Sequence, residues 1–363
     1  MTNDLMLVID HRDTQVRMDG RALRIARPQA APEHVPLGLL GLVVVHGSPM
    51  VGCEVWRELA ERNIPTVLQP ARGRGRAALI GAAQGGTIAL RIAQHRAAAD
   101  PEAALEIARR LVIAKITAQR ELCTRLDPER ESTRALIALQ DQAIDRCGMA
   151  RTQGTLLGLE GSAAAGWYDW LAGWLVERDK TGWRFQGRNR RPPRDPVNAL
   201  LSLGYTLLAG EVLRASQEQG LDPALGFLHG VVPGREALVL DLMEPLRPSV
   251  DLLTIGLIDG VLLPTHFTYS ARDGCRLNKN ARGRFYREWA AARNDWPDLH
   301  HPLQSAPPAA DDEAAADSAP PQTTLPALCR RQVQRLRDWL GPKMTAVSTP
   351  DTDADLDGGD DNG

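Results

Sequence analysis

The chain has 363 residues, 43% of them hydrophobic and 24% charged, and a formal net charge of −2. This length favours one to three domains, and the hydrophobic fraction is enough for a core without staples. The longest apolar run, Leu37 to Val45, is far short of the ~20 residues of a membrane span. The five cysteines form no CxxC pair, which argues against a structural zinc site and a disulfide framework. With no secretory signal at the N-terminus, we expect a cytoplasmic protein with free thiols.

The charge is unevenly distributed. Residues 301–363 hold eleven Asp or Glu against five Lys or Arg, whereas residues 1–300 hold 38 basic and 34 acidic residues, a net charge of +4. Part of this basic charge is clustered in Arg184, Arg188, Arg190, Arg191 and Arg194. A mildly basic body is compatible with a nucleic-acid partner but does not require one.

Residues 1–85 predict a small β-rich domain. Asp19-Gly20 between two strand-like runs is a hairpin signal, and Leu42–Val45 is typical of a buried strand. Val51–Glu61 has helical spacing of apolar residues, and Pro65–Leu68 returns to a strand pattern.

Residues 86–304 predict a larger all-helical domain. Ala103–Arg125 carries a broad apolar stripe. Asp195-Pro196 is an N-cap with proline at the first helical position, and it opens a helix that ends near Gly220. Asp222-Pro223 predicts a second, short helix ending near His229-Gly230. The fold class expected is therefore α+β, a small β-rich domain followed by a larger helical one.

The C-terminal part divides into three. Residues 305–322 predict an Ala/Pro/Asp linker, residues 323–341 one basic amphipathic helix, and residues 342–363 a disordered acidic tail. The helix either packs on its own domain or docks a partner.

Common catalytic signatures are absent: the sequence has no GxGxxG, P-loop, HExxH or GxSxG motif. Two positions could carry chemistry instead. Glu160 precedes glycine and small residues, although a carboxylate at a helix start is the commoner interpretation. His229 follows an apolar run and precedes glycine, where a half-buried structural histidine is the commoner interpretation.

Asp241 and Glu244 are three residues apart in an apolar stretch, so they share a face if the stretch is helical. Two acids in such surroundings are costly to bury without a cation. Together with Glu160 and His229 they supply hard oxygen ligands and one imidazole, the donor set of a Mg²⁺ or Mn²⁺ site.

Several motifs follow one another along the chain: Leu157-Gly158-Leu159-Glu160-Gly161, Arg191-Pro192-Pro193, Asp195-Pro196-Val197-Asn198, Gly226-Phe227-Leu228-His229 and Asp241-Leu242-Met243-Glu244, with Lys115-Ile116 upstream and Gly274 downstream. Over roughly residues 100–290 their order resembles the CRISPR adaptation integrase family ("Cas one").

This resemblance implies a β-sandwich-like domain, a helical catalytic domain and one metal site. Its ligands would be Glu160, His229 and Glu244, and Asp241 would be a nearby sensitive acid. Because Glu244 precedes Pro245, and a residue before proline resists helical geometry, Asp241 stays open as the direct third ligand.

The implied reaction is transesterification, in which a 3′-hydroxyl of captured double-stranded DNA attacks a phosphodiester of a CRISPR repeat. The resemblance also implies a homodimer that assembles with a small ferredoxin-like partner ("Cas two"). We assign the DNA contacts to six residues: Lys115, Arg184, Arg188, Arg190, Arg191 and Arg194. Two alternatives stay open: a transposon-type integrase or stand-alone nuclease, and a non-catalytic DNA-binding subunit whose acids only cap helices.

Overall fold

A computed structural model describes residues 5–11, 13–70, 77–80, 88–189, 192–271, 274–299 and 323–344. The predicted linker, the acidic tail beyond residue 344, Arg190, Arg191 and the predicted domain boundary at residue 85 lie outside these ranges.

Two four-stranded sheets form the N-terminal part. One has the order β1 (Leu5–Ile9), β5 (Leu40–His46), β7 (Thr66–Gln69), β8 (Ala78–Ile80), with β1, β5 and β7 parallel. The other has the order β4 (Glu33–Pro36), β3 (Ala22–Ala26), β2 (Gln15–Asp19), β6 (Met50–Val51). The hairpin predicted at Asp19-Gly20 joins β2 to β3, and Gly20 has a φ of 59°. Helix α1 (Cys53–Glu61) packs into the core between the sheets.

Strand β5 is buried on both faces and connects the two parts of the molecule. Val43 and Val45 face the core shared with the second sheet and α1. Leu42 and Val44 belong to the large core of the helical region. The side-chain alternation of one strand therefore holds the sandwich-like unit against the helices.

The remaining helices build the larger domain. They are α2 (Ile88–Ala99), α3 (Pro101–Leu126), α4 (Glu131–Met149), α5 (Gln153–Glu177), α6 (Pro196–Glu218), α7 (Ala237–Met243), α8 (Arg247–Gly260), α9 (Lys279–Asn294) and α10 (Leu325–Met344). The predicted fold class is confirmed. A two-stranded hairpin, β9 (Phe267–Ser270) with β10 (Gly274–Leu277), lies within this domain and was not predicted.

Helix α6 forms the centre of the helical domain. Asp195 caps its first turn by accepting from the backbone N–H of Asn198 at 2.8 Å, and Gly220 follows its last turn with a φ of 79°, as predicted. Gly204 permits close packing, since a Cβ there would lie 2.6 Å from Val250 of α8. In the described chain α6 alone has the length and hydropathy of a membrane span, and 72% of its most apolar window is buried in the protein.

The prediction of a short helix after Asp222-Pro223 is wrong. Residues 221–230 form turns, and the carboxylate of Asp241 accepts the backbone N–H groups of Phe227, Leu228 and His229. Those donors are satisfied without an intrahelical partner, which stabilises a loop in place of a helix.

Helix α10 packs on its own domain. Its apolar face, including Leu328, Val333 and Leu336, is buried in the main core against α2 and α6. Arg331 pairs with Asp298 at the rim of this contact. Of the two alternatives left open by the sequence, this is the one the structure supports.

Candidate metal centre

Four segments bring the candidate site residues together. Glu160 lies in the second turn of α5, Glu244 follows the last residue of α7, and Lys115 projects from the middle of α3. His229 lies on the 221–230 loop beside them. Glu160 is therefore not a helix-start carboxylate, because α5 begins seven residues earlier and is capped by Thr152.

The Lys115 ammonium lies between the two carboxylates. Its Nζ pairs with Oε1 of Glu160 and, at 2.6 Å, with Oε2 of Glu244. The Lys115 side chain is 7% exposed, that of Glu244 4% and that of Glu160 18%, so one cation holds two poorly hydrated acids together. Burial lowers the pKa of Lys115, but the two carboxylates outweigh it and the net pKa is raised.

A second cation, Arg247, supports Glu244 from the first turn of α8. Its Nε lies 3.0 Å from Oε1 of Glu244, and the contact is an ion pair without an aligned hydrogen bond. Burial raises the pKa of Glu244, but Arg247 and Lys115 together reverse this and lower it below the usual range. The guanidinium of Arg247 also lies 4.6 Å from the ring centre of Tyr205.

A buried polar network lies beneath these charges. The hydroxyl of Tyr205 donates to Asp251 at 2.5 Å and is 2.7 Å from the hydroxyl of Tyr168, and Trp167 donates to the other Asp251 oxygen at 2.9 Å. Burial raises the pKa of Asp251 to about 6 despite these bonds. The network joins α5, α6 and α8, so it fixes the Tyr205 ring against which the Arg247 guanidinium packs.

Asp241 holds His229 in place. Its side chain is fully buried, and each of its oxygens accepts two hydrogen bonds. Three come from backbone N–H groups of residues 227–229, and the fourth contact is the Nδ1 of His229 at 2.6 Å. Because Asp241 serves as an acceptor, Nδ1 carries the proton and Nε2 keeps a lone pair for another ligand.

The loop that carries His229 is anchored on both sides. Phe227 is buried in the main core, whereas Leu228 is buried among residues of α3, α4 and α5. The side-chain amide of Gln153, the first residue of α5, donates to the carbonyl of Phe227. Gly226 permits the contact with α7, since a Cβ there would lie 2.6 Å from Asp241 and 2.8 Å from the Ala237 backbone.

Asp241 and Glu244 serve different partners although they are three residues apart. Asp241 faces the 227–229 loop, and Glu244 faces Lys115 and Arg247. Glu244 has helical dihedral angles (φ −54°, ψ −47°) despite the following Pro245, and α7 passes there into one 3-10 turn. The expected conflict with helical geometry is thus absorbed by a change of helix type.

Two carboxylates and one imidazole have the donor chemistry of a divalent-ion site. The two carboxylates, from separate elements, already converge on one cation, and His229 is near enough to Glu244 to contribute to the lowering of its pKa. Among the described residues, no three His, Cys, Asp or Glu side chains converge at ligand spacing. The Lys115 ammonium instead lies between the two carboxylates that would hold the ion.

The basic residues assigned to DNA fall into four groups. Arg184 and Arg194 are exposed, while Arg190 and Arg191 lie outside the described residues. Arg188 instead ties its loop to α6, donating to Asn198 at 2.7 Å and to Ser202 at 3.2 Å. Lys115 is buried between carboxylates, so this geometry does not offer its charge to a phosphate.

From the sequence, Tyr205 could either support the site or only pack its helix. Asp251 was not singled out, and the connection of Arg247, Tyr168, Tyr205 and Asp251 was not predicted. Their spacing along α5, α6 and α8 is ordinary for core helices. An acid within the apolar run of α8 was the one available signal, since a buried carboxylate needs partners.

Solved structures share this fold. A "casposase bound to integration product" aligns with a TM-score of 0.74 at 22% identity, covering 93% of this chain and 91% of that one. A Cas1 protein from Thermotoga maritima aligns with a TM-score of 0.74 at 19% identity, covering 93% and 97%. Both define the class as proteins with the Cas1 fold.

The sequence comparisons define the family. The family model described as "CRISPR associated protein Cas1" matches residues 7–291. A CRISPR-associated endonuclease Cas1 of Rhodospirillum rubrum is 35% identical over 308 residues, covering 81% of this chain and 88% of the relative. One from Moorella thermoacetica is 32% identical over 277 residues, covering 74% and 80%. The chain belongs to the Cas1 family, which confirms the resemblance seen in the sequence.

Proposed function

We propose that this chain is a divalent-metal-dependent DNA endonuclease and integrase that inserts new spacer DNA into a CRISPR array. The observation that carries the proposal is the convergence of Glu160 and Glu244 on one cation beside the fixed imidazole of His229. Relatives named CRISPR-associated endonuclease Cas1 support the activity.

The ligands we propose for Mg²⁺ or Mn²⁺ are Glu160, Glu244 and His229 Nε2. Asp241 is not in this set because both of its oxygens are occupied by the 227–229 loop and by Nδ1 of His229. When bound, the ion would lower the pKa of an attacking hydroxyl and neutralise charge on the phosphate.

The chain's own residues would orient this site. Asp241 holds the imidazole of His229 by its Nδ1, and Arg247 keeps Glu244 ionised. The Tyr205 ring packs against the Arg247 guanidinium and would hold it beside Glu244. A 3′-hydroxyl that attacks a repeat phosphodiester there would form one P–O bond and break another, and the strand released would take up the proton.

DNA would be held largely by its backbone. We propose the exposed Arg184 and Arg194 as phosphate contacts, together with Arg190 and Arg191 of the same stretch of sequence, because guanidinium groups pair with phosphate oxygens without reading sequence. Arg188 would act indirectly, through its hydrogen bonds to α6.

We further propose that the chain acts in the cytoplasm as a homodimer with a Cas2-type partner. A fold neighbour is a "Cas6-RT-Cas1--Cas2 complex", aligned at a TM-score of 0.75, although this chain covers only 35% of that one.

The test is strand transfer in a purified system. The unchanged chain, with its small partner and Mn²⁺, should join a protospacer carrying a 3′-hydroxyl to repeat-bearing DNA, and Glu160→Ala should abolish joining while the protein stays folded by circular dichroism. Undiminished joining by Glu160→Ala would overturn the assignment.

A second candidate is a transposon-type integrase, which the shared fold of a casposase keeps open. It predicts the same dependence on Glu160 but a preference for transposon ends over repeat DNA. Competition between the two DNA substrates in one reaction decides between them.

A further inference from the structure

The four charges at and around Lys115 cancel one another. Glu160 and Glu244 contribute two negative charges, and Lys115 and Arg247 contribute two positive charges within ion-pair distance. All four side chains are at most 18% exposed, so water screens them poorly. The site is therefore electrically balanced before any metal enters.

The position of the ammonium matters as much as its charge. Lys115 Nζ touches one oxygen of each carboxylate, so the ammonium lies between the two side chains that would hold a divalent ion. An ammonium left there would repel the ion and would compete with it for the same two carboxylates.

We propose that Lys115 is a built-in counter-ion that keeps Glu160 and Glu244 converged in the metal-free protein and is displaced when a divalent ion binds. This inference rests on the proposed metal site. It makes Lys115 a positioning residue whose charge preforms the site and at the same time competes with the ion for it.

Two opposite effects of removing the charge follow. Lys115→Met leaves two poorly hydrated carboxylates facing each other, so in EDTA the midpoint of thermal unfolding should fall by about 6 °C or more. The same change removes a like charge next to the ion, so the variant should bind Mn²⁺ about tenfold more tightly, or better still. A residue that only packs, or only contacts DNA, would not produce both.

The experiment uses the full chain without DNA. Mn²⁺ affinity is measured by isothermal titration calorimetry and unfolding by calorimetry in EDTA, for the unchanged chain, Lys115→Met, Lys115→Arg and the control Lys279→Met, whose lysine is exposed at the start of α9. Lys115→Arg retains the competing charge and should bind Mn²⁺ no more tightly than the unchanged chain. Lys279→Met should change neither quantity.

A double variant keeps the inference testable if Lys115→Met is too unstable to titrate. Adding Glu160→Gln removes one of the facing carboxylates, and Glu244 then keeps Arg247 as its partner. Most of the lost thermal stability in EDTA should return. A double variant no more stable than Lys115→Met would contradict the counter-ion role.

The outcomes separate this inference from the proposed function. If the unchanged chain and Lys115→Met bind Mn²⁺ with equal affinity, the metal site stands and the inference fails. If neither protein binds Mn²⁺, the proposed metal site fails and the inference fails with it.

Discussion

At the residue scale, Asp241 is a fully buried acid whose carboxylate holds the loop that carries His229. Its two oxygens make four hydrogen-bond contacts, all with one loop, and the contact with Nδ1 fixes the tautomer of His229. Sequence spacing alone could not separate Asp241 from Glu244, because both lie in one apolar run and differ only in what the rest of the chain brings to them.

The first prediction concerns this acid. Asp241→Asn keeps the shape but places an amide where only acceptors fit, so His229 loses its fixed orientation. We expect Mn²⁺ affinity to fall about 10- to 100-fold, as for other groups that orient metal ligands. Titration calorimetry checks it, with Asp259→Asn, an exposed acid of α8, as the control. Unchanged affinity in Asp241→Asn would show that the carboxylate does not position the imidazole.

The second prediction concerns Gly226. Gly226→Ala would drive a Cβ to within 2.8 Å of the Ala237 backbone, so the 221–230 loop must move away from α7. The expected loss of stability is about 1–3 kcal/mol, measured by chemical denaturation. Gly230→Ala in the same loop is the matched control, because a Cβ there meets nothing within 4 Å. Equal stability of the two variants would contradict the close approach.

At the scale of elements, the sequence correctly predicted those features whose stability depends on neighbouring residues. The caps of α6, the β2–β3 hairpin and the apolar stripe of α3 are all readable from neighbouring residues. The helix predicted after Asp222-Pro223 failed because its N–H groups are taken by Asp241, whose role depends on tertiary packing. The assignment of Lys115 to DNA contacts also lacked this tertiary information, because no local pattern shows that Glu160 and Glu244 flank it.

The third prediction tests the packing of α10. Leu328 is 1% exposed in the main core, so Leu328→Ala should cost about 2–5 kcal/mol through lost burial and a residual cavity. Arg330→Ala, on the exposed side of the same helix, should cost far less. Comparable unfolding midpoints for both variants would mean that α10 is not part of the domain core.

At the scale of the whole molecule, the electrostatics of the surface and of the site are separate. The four charges around Lys115 cancel, so the proposed affinity for DNA would come from exposed groups such as Arg184 and Arg194. The formal net charge of −2 conceals a basic body, because residues 301–363 hold eleven Asp or Glu against five Lys or Arg.

The fourth prediction follows from this separation. Replacing both Arg184 and Arg194 by alanine should weaken binding to duplex DNA and reduce the log–log salt slope by about 1.8 for two lost phosphate contacts. Fluorescence anisotropy between low and moderate salt measures both effects, with Mn²⁺ affinity as the control that should not change. An unaltered salt slope would remove these arginines from the DNA interface.

We propose one metal site formed by Glu160, Glu244 and His229, from which a bound ion displaces the Lys115 ammonium. Anomalous scattering from a crystal of the full chain grown with Mn²⁺ tests this site most directly. We expect one peak per chain, bounded by the two carboxylates and Nε2 of His229, with the Lys115 ammonium no longer between Glu160 and Glu244. A peak bound by Asp241 instead, or the ammonium still in place with no peak beside it, would show that the site is not formed in this way.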